Sequence, residues 1–98
     1  MITVVGVFDV CGVIVKMVTY DEFKEFKYDV ILDSNDKEVL EKLNSHKDEI
    51  MALSTGGIDI TMEYFNDNTL KEVHVVTNNP NYRNLAHILT GVIIGFIK

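Results

Sequence analysis

The chain has one cysteine, one proline and no run of basic residues, and each shortage closes off a class of protein. A lone Cys11 cannot form a disulfide within the chain, and the opening residues Ile2-Thr3-Val4-Val5 lack the basic region of a secretory signal. A reducing, cytoplasmic setting is therefore expected. With 15 acids against 9 bases the net charge is −6, which repels nucleic-acid phosphate where no basic cluster offsets it. No nucleic-acid partner is expected. The apolar stretch from Leu85 to Ile97 falls short of the ~20 residues that a membrane span needs, so no membrane partner is expected either. Catalytic signatures are missing as well: there is no G-x-x-x-x-G-K-S/T loop, no G-x-G-x-x-G turn, no H-E-x-x-H pair and no C-x-x-C. On this reading there is no assigned catalytic residue, no metal ligand and no cofactor.

The remaining composition describes a folded domain. Apolar residues make up 47% of the chain and charged residues 24%, near the globular average, so disorder is not expected. At 98 residues the chain forms one domain, residues 1–98, without a linker or internal repeat. A domain of this size buries only roughly 60 to 70% of its unfolded surface, and association with a second copy would help it.

Periodicity gives the elements. Ile2 to Phe8 is a nearly continuous valine-rich run, the pattern of a strand buried on both faces, and this places it centrally in a sheet. Asp9-Val10-Cys11-Gly12 supplies turn residues before a second β-branched run, Val13 to Thr19, and a hairpin follows. Tyr20 to Lys27 is charged, with Phe23 and Phe26 three apart, and reads as one helical turn or as an irregular loop. Tyr28 to Asp33 alternates as a third strand. A helix then starts at Asn35, whose side chain can cap while Glu38 reaches back, and runs to about Leu53. Ser54-Thr55-Gly56-Gly57 ends it. Ile58 to Phe65 and Leu70 to Thr77 form a second hairpin around Asn66-Asp67-Asn68-Thr69, with Ile60 opposite Val75, Met62 opposite Val73 and Tyr64 opposite Lys71. Asn79 and Pro80 open a final apolar helix. Its end, Val92 to Ile97, is β-branched enough to form a strand instead, and the helix is the preferred reading. The order is β-β-β-α-β-β-α: an α+β domain with an antiparallel or mixed sheet of about five strands and two main helices on one face.

Three groups of residues carry candidate chemistry. The polar loop feeding the last helix offers Asn78, Asn79, Tyr82 and Arg83, with free amides, a stacking ring and a guanidinium suited to a nucleotide-like anion. Ser54, Thr55 and Gly56 add hydroxyls and amides if they lie close by. Capping and turn formation explain the same residues without a ligand. On the wetter face of the second hairpin, Glu63 lies opposite Glu72 with His74 diagonal to Glu63. Two carboxylates and an imidazole can hold a divalent metal, but solvated side chains on an exposed face are the reading preferred here. Ala86, Gly91 and Gly95 form a small-residue stripe along the last helix that admits another backbone, which points to a homo-oligomer interface. His46 falls in the middle of the apolar stripe of the first helix and reads as a satisfied core residue.

Two functional classes follow. The first is a small acidic, non-enzymatic binding protein, a homo-oligomer that sequesters a small anionic ligand or inhibits a protein partner with a basic surface. Its composition has the look of a phage-encoded or accessory inhibitor. The second is a small enzyme with a site between subunits that uses Cys11, Asp9 or the histidines. It requires a base beside the thiol, and spacing alone provides none.

Overall fold

The computed structural model describes residues 1–23 and 25–98. Five strands form one antiparallel sheet: β1 (Ile2–Val10), β2 (Val13–Glu22), β3 (Glu25–Asp33), β4 (Asp59–Tyr64) and β5 (Leu70–Thr77), in the spatial order β1-β2-β3-β5-β4. The helices are α1 (Lys37–Ser45), α2 (Lys47–Met51) and α3 (Arg83–Gly95), the last preceded by a 3-10 turn over Pro80–Tyr82. The α+β class and the element order are those expected from the sequence, with α2 as an extra short helix.

One sheet face forms the core. Period-two alternation sends Val13 and Val15, Tyr28, Val30 and Leu32, Ile60, and Val73 and Val75 to the same side. There they meet Leu43 of α1, Ile50 of α2, and Ala86, Leu89, Ile93 and Ile94 of α3. Burying one such side chain contributes about 1.5–3 kcal/mol. The hairpin register is as expected for Ile60 opposite Val75, Met62 opposite Val73 and Glu63 opposite Glu72, but a bulge after Glu63 sets Tyr64 opposite Leu70 and not the expected Lys71.

Five further local readings are corrected. The first strand is not central: β1 pairs with β2 alone and lies at the edge of the sheet. The helices pack mainly on β3, β5 and β4, and among the described residues β1 stays largely open, with Val7 and Phe8 57% and 56% exposed. Tyr20 to Lys27 is neither a helical turn nor a loop, because pairing continues through Tyr20↔Lys27 and Asp21↔Phe26 to Glu22↔Glu25. Position 24 of that stretch lies outside the described residues. The first helix is capped by Asp36, which accepts from the Glu38 amide, rather than by Asn35. That helix also stops at Ser45, whose hydroxyl donates back to the Lys42 carbonyl, and α2 restarts after His46. His46 therefore sits at the break instead of in the core: its side chain is 33% exposed, bonded to Glu49 and stacked on Phe96.

The β1–β2 connection is Cys11-Gly12, both at positive φ (56° and 84°), the geometry of a tight two-residue hairpin. Asp9 accepts from the Gly12 amide, and the Ser34 hydroxyl donates to the Gly12 carbonyl, tying this turn to the start of α1. The end of α3 is helical through Gly95, so the helical reading of the tail holds and the strand alternative does not.

Gly57 is the other position where only glycine fits. Its φ is +129°, and a Cβ there would lie 2.2 Å from the Tyr82 ring. Gly57→Ala is expected to destabilise the fold by about 1–3 kcal/mol, whereas Gly56→Ala, which meets nothing within 4 Å, should stay within about 0.5 kcal/mol. Urea denaturation of the two variants beside the parent measures both.

Candidate functional site

The loop preceding α3 and the loop closing the first helical region do meet. The Tyr82 ring lies against Gly57, so Asn79, Tyr82 and Arg83 share a neighbourhood with Ser54, Thr55 and Gly56. The parts expected to grip an anion are, however, used within the chain. The Asn79 side chain accepts from the Asn81 amide and caps the 3-10 turn. The Arg83 guanidinium lies 4.6 Å above the centre of the Tyr28 ring, a contact worth about 0.5–2 kcal/mol. The Tyr28 hydroxyl and His87 Nε2 are hydrogen-bonded at 2.5 Å. Ser54 Oγ accepts from the Ile60 amide, and Thr55 bridges to Ile58. Asn78 faces elsewhere, lining a groove of about 580 Å³ with Tyr20, Phe26 and Lys27.

The small-residue stripe of α3 is divided. Ala86 is fully buried in the chain's own core, and the Thr90 hydroxyl donates to the Ala86 carbonyl. Gly91 and Gly95 face open space beside exposed Ile88 and Val92. Cys11 is exposed at its hairpin turn, while Asp9 is engaged by the Gly12 amide.

The densest polar arrangement lies on the sheet face away from the helices. Strand alternation and the β4–β5 register set Glu63 opposite Glu72 and put His74 on the same side. Asp29 of β3 joins them, because Ile31 pairs with His74 and Asp29 lies two residues further along the same face. The Asp29 carboxylate is 3% exposed and lies 2.9 and 3.1 Å from His74 Nδ1. His74 Nε2 lies 3.0 Å from Glu72 Oε1. One ligand atom each from Glu63, Glu72 and His74 falls within 4.8 Å of the others. The sequence offered Glu63, Glu72 and His74 but not Asp29, because β3 meets β5 only through a non-local pairing that no local pattern encodes.

The electrostatics follow from this geometry. The hydrogen bond to Asp29 raises the His74 pKa to about 9, burial opposes it, and Glu72 reinforces it. His74 is thus an imidazolium clasped between two carboxylates near neutrality. For Glu72, burial acts upward, but hydrogen bonding to Glu63 and His74 outweighs it and holds the carboxyl below its ordinary value. Asp33, further along this face, is raised by burial first and by the Glu72 charge second, with Lys16 opposing.

Comparisons with protein-family models, curated proteins and solved structures return no match.

Because the folded pKa of His74 lies above its unfolded value of about 6.5, its contribution to stability is complete below that value and is lost as pH rises through about 9. Denaturant midpoints measured in chelator-containing buffer should therefore fall between pH 6.5 and 9 in the parent protein. The fall should be shallower in His74→Gln, and equal slopes in the two proteins would refute the assignment.

Proposed function

We propose that the chain is a non-enzymatic binding protein that works as a homodimer joined through β1. The observation that carries this reading is the state of that strand: nine residues long, paired on one side only, with Ile2, Val4, Val5, Val7, Phe8 and Val10 all exposed. An unpaired edge presents free backbone donors and acceptors, and proteins that remain single guard such edges with lysine, proline or a covering element. Between Ile2 and Phe8 this edge carries neither a charge nor a proline. Its composition suits burial on both faces, a condition that one copy of the chain leaves unmet.

A second copy fits by symmetry. The register shift between Val4 and Gly6 is a bulge at Val5, so Val4 and Val7 point to one face of the sheet while Thr3 and Phe8 point to the other. Two-fold antiparallel pairing centred between Val5 and Gly6 sets Val4 of one copy opposite Val7 of the other, and Thr3 opposite Phe8. Every side chain then keeps its own face. The only charge on the strand, Asp9, falls at the ends of the seam opposite Ile2, so the −6 carried by each chain is not concentrated there. The result is one continuous sheet of two copies. Its open face carries the acidic residues of both, matched to a partner with a basic surface, and complementary charge of this kind mainly speeds encounter.

Light scattering on the full chain should give about twice its 11.1 kDa mass at high micromolar concentration. Val7→Lys should reduce it to one chain with unchanged circular dichroism, while Ile88→Lys on α3 should leave the dimer intact. A single-chain mass for the parent, or loss of the dimer with Ile88→Lys but not with Val7→Lys, overturns the reading.

A further inference from the structure

We propose that Glu63, Glu72 and His74 form a divalent-cation site of the zinc class, with Asp29 as the residue that orients the histidine. It does not depend on dimerisation, since all four residues belong to one chain.

The argument begins with which ring nitrogen faces what. A histidine that ligates a metal through one nitrogen ordinarily donates from the other to a carboxylate or carbonyl, which fixes the tautomer and the ring plane. Asp29 supplies that carboxylate. Its oxygens sit 2.9 and 3.1 Å from Nδ1, and at 3% exposure it is held in place between the β2 and β5 backbones. Nε2 is left to point along the sheet at Glu72, and Glu63 stands directly across the strand pair from Glu72.

Two carboxylates placed directly opposite on adjacent strands repel each other unless a shared proton or a cation lies between them. Among the described residues the pair is held by a hydrogen bond between the two carboxyls and by the positive charge of His74 on Glu72, at the cost of a proton on the pair and of turning a ligating nitrogen into a donor. A divalent ion satisfies all three groups at once. One imidazole nitrogen and two carboxylate oxygens are the donor types that zinc accepts, and three protein ligands leave a further position for solvent. Calcium and magnesium prefer six or more oxygens, which this site does not offer. The ligands sit on paired strands rather than on loops, so little ordering is required when the ion binds.

The test is calorimetric titration of zinc chloride into the chelator-stripped full chain, with histidine ring resonances followed by NMR. The expected result is one ion per chain, with the His74 resonances moving and those of His46 and His87 unmoved. Glu63→Gln, the most exposed of the set, should weaken binding by at least about tenfold, and His74→Asn by about a hundredfold or more. As a positioning residue, Asp29→Asn should weaken zinc by about 10–100-fold while retaining one ion per chain. Circular dichroism confirms that each variant is folded, and Glu63→Gln alone suffices if His74→Asn is not. The proposal is overturned by any of three results: no heat from the parent at about millimolar zinc, one ion per two chains, or unchanged affinity in Glu63→Gln.

Discussion

Two helices and a short third one can cover only part of a five-stranded sheet, and that limit on cover governs the rest of the molecule. The helices settle over β3, β5 and β4, where Tyr28, Val30, Leu32, Val73, Val75 and Ile60 present a continuous apolar floor. Folding a chain of this length leaves a large share of its surface wet. Here the uncovered share is not spread evenly: it comprises the far face of the sheet and the whole of its first strand.

These two regions meet water in opposite ways. On the far face Asp29, Glu63, Glu72 and His74 stand among apolar Val18, Ile31 and Val76, and where the Asp29 charge is withdrawn from solvent it is matched. Asp29 is buried but bonded through both oxygens to His74, which is bonded in turn to Glu72. An unmatched carboxylate at that depth would cost several kcal/mol. The first strand has no such accommodation, since apart from Thr3 and Asp9 its exposed side chains are valine, isoleucine and phenylalanine, on both faces. The proposed functions follow this division: a metal or a proton completes the polar cluster, and a second copy completes the edge.

Much of the architecture was legible because it rests on local periodicity. Alternation gave the strands, and the Ile60–Val75 register followed from keeping apolar residues on one side of the second hairpin. The cap at Asp36 rather than Asn35 and the break at His46 were beyond that reach. Each is set by short-range hydrogen bonds, among them the one Asp36 accepts from the Glu38 amide and the one Ser45 donates to the Lys42 carbonyl, that compete closely with their alternatives. The expected anion loop shows the opposite failure. Its residues have the chemistry foreseen for them, but Arg83 and Tyr82 have packing partners, Tyr28 and Gly57, that lie far away along the chain.

The amino-acid pattern alone determined the element types, their order, the register of the β4–β5 hairpin and the gathering of Glu63, Glu72 and His74 on one face. All of these follow from side-chain period and short-range turn chemistry. Only the tertiary structure decided that β1 is an edge and that Asp29 joins His74, because both depend on strand order. Strand order is set by which distant segments bury the most apolar surface together, and a strand wanted dry on both faces reads the same whether its cover comes from its own chain or from another.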